Sequence, residues 1–133
     1  MTLSAHQPAA AFLAAVVDDD PRVRRLLALE LEDLGVSPTC FSSAIELLSW
    51  EKLHQLQLIL LDLMMPEMDG LACLTKLRQG YFRGTVVMVT ANWEESRAQA
   101  LLSAGADACW NKTAALERLA PFIAQLRQPA PPP

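Results

Sequence analysis

Residues 58 to 70, LILLDLMMPEMDG, constrain the fold more than any other stretch of this chain. An uninterrupted apolar run of strand length meets one carboxylate, Asp62, and the chain then turns through Pro66 and the Asp69-Gly70 pair. Asp62 therefore falls at the carboxyl end of a buried strand. Open α/β sheets bind ligands outside those strand ends, which makes this a position for chemistry. Asp18-Asp19-Asp20 follows a second apolar run, 12 to 17, and carboxylates at two neighbouring strand ends would converge. Converging carboxylates repel unless a hard cation sits between them.

The 133 residues, 52% of them hydrophobic, suffice for one domain with a real core. No apolar run reaches membrane-spanning length, and the first ten residues lack a charged start and a signal-peptide core, so a cytoplasmic protein without a membrane partner is expected. A net charge of -4 argues against broad binding to nucleic acid or anionic membrane, because both need a basic surface. Cys40, Cys73 and Cys109 are far apart and outside any C-x-x-C pair, and read as reduced core thiols.

Residues 1 to 11 read as a loose arm, 12 to 127 as the domain, and 128 to 133, with four prolines in six residues, as a tail or linker stub. The continuous apolarity of 12 to 17 marks a buried parallel strand, and Asp20-Pro21 supplies a cap and a first helical residue. Val23, Leu26, Leu27, Leu31 and Leu34 form the stripe of that helix, which Gly35 ends. A short strand over 37 to 41 precedes the capping box Ser43-x-x-Glu46 and a helix to about 53, with Ile45, Leu48 and Leu53 inward. A third helix over 71 to 79 turns Leu71, Leu74 and Leu77 inward and stops at Gly80. TVVMVT, 85 to 90, is a β-branched buried strand. Asn92 is the expected cap of a fourth helix over 94 to 104, and a brief strand over 108 to 111 leads to Lys112. The last helix carries Leu116, Leu119, Ile123 and Leu126, with a kink or displaced start expected at Pro121.

Five strands alternating with five helices predict an α/β fold, a doubly wound parallel sheet. Its carboxyl edge gathers Asp18, Asp19, Asp62, Thr90 and Lys112. With VVDDD at 16 to 20, DLMMPEMDG at 62 to 70, VTA at 89 to 91 and AGADACWNK at 104 to 112, the sequence resembles the response-regulator receiver domains of two-component signalling. Each piece alone is a weak signal; four in order over most of the chain are specific. The resemblance implies a flavodoxin-like sheet of strand order 2-1-3-4-5. It implies that Asp62 accepts a phosphoryl group from a sensor histidine kinase or phosphotransfer protein. It further implies that Asp18, Asp19, Asp62 and the backbone carbonyl of Met64 hold magnesium, Mg²⁺, as a cofactor. Lys112 and the Thr90 hydroxyl would contact phosphoryl oxygens, and Asp20 is left as a helix cap. Hard, all-oxygen ligands of this kind suit Mg²⁺.

Taken singly, Asp62 would be a turn former, Lys112 a solvated charge and Thr90 a strand residue; it is their joint placement that points to a site. His54 and His6 have no ligand-spaced partner and read as exposed, and Met64, Met65 and Met68 read as turn packing. An aspartyl phosphatase would commonly place an acid two residues after Asp62, where Met64 stands, and a flavin carrier would need a Ser/Thr/Gly-rich phosphate loop where DDDPRVRR stands. The stronger rival is a receiver-like scaffold that binds a partner without phosphorylation, although Asp62 and Lys112 are both retained. The chain is expected to be a phosphoacceptor, not an enzyme in the ordinary sense.

Three features depart from the family pattern or tune it. Thr113 follows Lys112 where the family commonly has Pro, and Cys109 occupies the position of the aromatic switch residue, leaving Trp110 as the nearest substitute ring. The resemblance also implies that Met64 and Asn92, two residues beyond Asp62 and Thr90, flank the approach of water to the phosphoryl group. Output is expected by protein contact with a downstream target or output domain, through the fourth helix, fifth strand and fifth helix. A homodimer could form there, and no direct nucleic-acid contact is expected.

Overall fold

The computed structural model describes residues 11 to 128. Apart from residues 11 and 128, the expected arm and proline-rich tail, like His6, lie outside the described residues. Strands β1 (Phe12–Val17), β2 (Val36–Phe41), β3 (Leu58–Asp62), β4 (Thr85–Thr90) and β5 (Ala108–Asn111) alternate with helices α1 (Pro21–Asp33), α2 (Ala44–Leu48), α3 (Gly70–Gln79), α4 (Glu95–Ser103) and α5 (Lys112–Arg127). The strands are all parallel, in the order β2-β1-β3-β4-β5 expected from the sequence.

Strand side chains alternate between two cores, one on each face of the sheet. Ala14, Val16, Leu58, Leu60, Val87 and Val89 pack with Leu27 and Leu31 of α1 and Leu119 and Ile123 of α5. On the other face, Ala15, Val17, Ile59, Leu61, Val86 and Met88 pack with α2, α3 and α4. A fully buried leucine such as Leu31 or Leu74 contributes about 1.5–3 kcal/mol, so this two-sided burial holds the strands in register.

Helix ends follow local chemistry. Asp20 accepts from the Arg22 N–H at 2.9 Å to cap α1, and Gly35, with φ +78°, takes the left-handed position beyond it. Ser43 accepts from the Glu46 N–H at 3.2 Å, one half of the expected capping box of α2, while the Glu46 carboxylate accepts from the Ser42 and Ser43 hydroxyls and not from the Ser43 N–H. That helix stops at Leu48 instead of continuing to 53: Ser49 makes the last α-helical bond, to the Ile45 carbonyl, and the Trp50 N–H then turns to the Leu47 carbonyl three residues back; a 3-10 turn, Leu53–Gln55, follows separately. Asn92 does not cap α4; Glu94 holds that position without a side-chain bond. Pro121 neither displaces nor divides α5, which runs unbroken from Lys112. Its missing donor leaves the Glu117 carbonyl without that helical partner, and both residues are on the exposed face of the helix.

Several stripe residues face outward. Leu26, Ile45, Leu71 and Leu116 are exposed, since each sits one helical step beside the line that enters the core: 27 and 31, 44 and 47, 70 and 74, 115 and 119. Of the three cysteines only Cys73 is a core thiol, its pKa pushed up to about 12 by burial. Cys109 is half-buried and Cys40 is exposed on edge strand β2.

Candidate functional site

Parallel register carries the chemistry to one edge. Val17 pairs with Leu61, and Asp62 with Val89, so Asp18, Asp62 and Thr90 end three adjacent strands. Lys112 opens α5 directly after β5. Asn111 accepts from the Thr113 N–H at 3.1 Å, which fixes the turn that aims Lys112 back across the sheet. Proline at 113 would lack that donor, which gives the departure from the family pattern a local role.

The Lys112 ammonium lies 2.9 Å from Asp18 Oδ2 and 3.3 Å from Asp62 Oδ2. Carboxylate oxygens of Asp18, Asp19 and Asp62 all lie within 4.8 Å of one another. Asp18, Asp62 and Thr90 are the buried polar side chains among the described residues, a concentration that no count of charged residues reveals. Asp18 Oδ1 accepts from the Asp20 N–H at 2.9 Å, and the Arg24 guanidinium donates to the Asp18 carbonyl at 2.7 Å, so the first acidic loop is held at both ends. Asp62 Oδ1 accepts from the Met64 N–H at 3.3 Å.

Burial, and then the charge of Asp18, push the Asp62 carboxyl up to about 6 against the pull of Lys112. For Lys112, burial alone would favour the neutral amine, but its hydrogen bond to Asp18 and the charges of both aspartates outweigh that and hold its pKa above the ordinary value. The site thus carries three carboxylates against one ammonium, all hard oxygen donors and close enough to share one ion. This donor set fits Mg²⁺.

The β3–α3 loop is shaped by Gly70. Its N–H donates to the Leu63 carbonyl at 2.8 Å, and a Cβ there would come within 2.5 Å of the Asp62 carbonyl and 2.8 Å of Leu63 Cα. Asp69 caps α3 through the Ala72 N–H at 2.9 Å. The Asp-Gly pair is therefore a cap followed by a close backbone approach behind Asp62.

Thr90 Oγ1 accepts from the Asn92 N–H at 3.2 Å and donates to the Asn92 carbonyl at 3.3 Å. The hydroxyl is satisfied within its own loop and makes no bond to Asp62 or Lys112. Cys109 donates to the Ala98 carbonyl at 3.7 Å and lines a small cavity with Thr90, Trp93 and Leu101. Trp110 is on the other face of the sheet, buried and edge-on to Phe122 with centroids 5.1 Å apart. It is core packing, and the aromatic ring beside Cys109 is that of Trp93. Strand alternation already separates 109 from 110, so that signal was present in the sequence; the loop position of Trp93 was not. Met64 is exposed and Asn92 also faces solvent, both at the rim of the site.

Comparison with known proteins gives the same answer as the geometry. Residues 14 to 124 match the family model described as response regulator receiver domain. The sensor histidine kinase RcsC of Salmonella typhi is 35% identical over 109 residues, covering 82% of this chain and 12% of that protein. The transcriptional regulatory protein SrrA of Staphylococcus aureus is 38% identical over 92 residues, covering 69% of this chain and 38% of that protein. This chain thus spans well under half the length of these curated relatives. Among solved structures, the BeF3-activated N-terminal receiver domain of Klebsiella pneumoniae RstA superposes with a TM-score of 0.76 at 28% identity, covering 87% of this chain and 99% of that one. With the 2-1-3-4-5 sheet and its acidic carboxyl edge, these matches establish that the chain belongs to the response regulator receiver domain family of two-component systems.

Proposed function

We propose that Asp62 accepts a phosphoryl group from the phosphohistidine of a sensor kinase or phosphotransfer protein, and that the phosphorylated chain signals by protein contact. The observation that carries this reading is the Lys112 ammonium held between Asp18 and Asp62, with Asp19 in reach of both carboxylates. An Asp62 oxygen attacks phosphorus, the P–N bond breaks, and the histidine nitrogen leaves with the bonding pair. Asp18, Asp19, Asp62 and the Met64 carbonyl would hold Mg²⁺, which neutralises the carboxylate nucleophile and the phosphoryl oxygens. Lys112 binds one phosphoryl oxygen as a point charge. Thr90 turns its hydroxyl from Asn92 to another.

The cleft bordered by Trp93, Cys109, Trp110, Asn111, Ala114 and Arg118, along β5 and α5 and beside the approach to α4, supports output through the α4, β5 and α5 surface, either to a target or in a homodimer. No helix among the described residues is long and apolar enough to cross a membrane.

Incubation with acetyl phosphate and Mg²⁺, followed by intact mass, tests the reaction. One added phosphoryl group is expected, absent with a chelator and absent in Asp62→Asn. An unmodified wild type overturns it in favour of a scaffold that works without phosphorylation, and equal labelling of the variant overturns Asp62 as the acceptor.

A further inference from the structure

A second concave surface lies at the amino edge of the sheet, opposite the aspartates. The 3-10 turn Leu53–Gln55 and residues 81 to 84 border an open cleft of about 560 Å³, lined by His54, Gln55, Gln57, Tyr81, Arg83 and Thr85. Tyr81 has φ +63°, the left-handed region, directly after Gly80, which caps α3 at φ -85°. The sequence led us to expect that Gly80 would end this helix; the left-handed position beyond the cap is instead taken by a tyrosine. A bulky side chain adopts that conformation only at a cost. Tyr81 is 82% exposed, so its ring buries almost nothing in return.

The loop does not need Tyr81 or Arg83 for its shape. Phe82, between them, is buried and anchors it, and a Cβ on Gly84 would strike the Phe82 ring. Arg78 Nη1 donates to the carbonyls of Phe82 and Gly84 at 2.8 and 2.9 Å, while Nη2 donates to Asp107 and Nε to the Gly105 carbonyl, both at 3.0 Å. Tyr81 and Arg83 are thus displayed outward from a clamped segment, which lowers the ordering cost of any contact they make. Among the described residues Arg83 has no ion-pair partner, and no carboxylate lines the cleft, although the chain as a whole carries a net charge of -4. Tyrosine and arginine, with tryptophan, are the residue types enriched at the energetic hot spots of protein interfaces.

We propose that this cleft docks an acidic segment of a partner protein. A carboxylate of the segment pairs with the Arg83 fork, the Gln55 and His54 side chains supply further donors, and the Tyr81 ring covers an adjacent apolar side chain. A lone small anion in so open a cleft would stay hydrated, so a segment that also covers the tyrosine is the better match. Because the cleft and the aspartates occupy opposite edges, this inference stands independently of phosphoryl transfer.

Titration of the ¹⁵N-labelled chain with a capped peptide of alternating glutamate and leucine tests it, with an alternating lysine and leucine peptide and free sodium glutamate as controls. Saturating amide shifts confined to residues 54 to 57 and 81 to 85 are expected with the acidic peptide alone. Arg83→Glu should weaken binding by about tenfold or more. Tyr81→Gly should weaken binding while leaving the thermal midpoint unchanged or raised, because glycine relieves the left-handed backbone. Absence of shifts at millimolar peptide overturns the proposal, as does an equal response to the lysine peptide or to glutamate alone. Undiminished affinity in Arg83→Glu, or a lowered midpoint in Tyr81→Gly, also counts against it.

Discussion

Lys112 Nζ lies 3.3 Å from Asp62 Oδ2, yet the ammonium does not bring that carboxyl into the ordinary carboxylate range. Burial and the neighbouring Asp18 outweigh it, leaving Asp62 at about 6 against a usual 3.8. The folded state then holds the Asp62 proton more tightly than the unfolded chain. Without Mg²⁺, the stability contributed by this group is greatest below the unfolded value and is lost as pH rises through about 6, by about 3 kcal/mol. Urea unfolding in a chelator should show this loss. Asp62→Asn should remove it and be the more stable protein at neutral pH, and saturating Mg²⁺ should flatten the wild-type profile by competing with the proton. Equal pH profiles for wild type and variant would show that Asp62 titrates normally.

Gly70→Ala should damage both fold and site. The added Cβ meets the Asp62 carbonyl and Leu63 Cα, which are backbone atoms and cannot swing aside. A loss of about 1–3 kcal/mol is expected from thermal or urea unfolding. Labelling by acetyl phosphate should fall further than the folded fraction does, because the strand end that carries Asp62 must shift. Labelling that tracks the folded fraction would mean the loop yields without moving Asp62.

What could be read from the residues and what could not divide along a physical line. Runs such as LILL and TVVMVT report their own burial, and parallel crossover rules then bring Asp18, Asp62, Thr90 and Lys112 together. Side-chain bonds between distant residues leave no such trace. Asp107 looks like an ordinary turn residue, but its carboxylate accepts from both Arg78 and the Val86 N–H, pinning α3 to the start of β4. Arg127 likewise reads as a tail charge, although it donates to the carbonyls of Leu34 and Gly35 and stacks on Phe12. The departures Cys109 and Thr113 were visible as departures; that Trp93 stands beside the first and Asn111 uses the N–H of the second required the coordinates.

If Thr90 moves on phosphorylation as proposed, that placement should make Trp93 its reporter. Its ring shares a cavity with Thr90 and Cys109, and the Thr90 hydroxyl is bonded to the intervening Asn92 backbone. Drawing the hydroxyl toward a phosphoryl oxygen would release those bonds and should move the loop that carries Trp93. A chain whose only tryptophan is Trp93 should change fluorescence on adding beryllofluoride and Mg²⁺. One retaining only Trp110, packed on Phe122 across the sheet, should stay constant. The reverse pattern would assign the response to the α1 and α5 layer.

The lifetime of the phosphorylated state should depend on Met64. Hydrolysis needs a water aligned opposite the Asp62 oxygen on phosphorus, and alignment is the part of the barrier a neighbouring side chain can change. Met64 follows Asp62 by two residues, its N–H is tied to Asp62 Oδ1, and its side chain is 56% exposed at the rim of the site. A thioether is flexible and nearly without hydrogen-bonding capacity, so it can cover the acyl phosphate without orienting water. Asn92, exposed in the loop after Thr90, offers hydrogen bonds but no carboxylate to act as a base. Met64→Asn places an amide where it can hold the attacking water, and should speed self-dephosphorylation about tenfold, equivalent to roughly 1.4 kcal/mol of barrier. Single-turnover phosphate release from both phosphorylated proteins measures this directly. Equal rates, or a faster wild type, would show that water reaches the phosphorus by a path Met64 does not control.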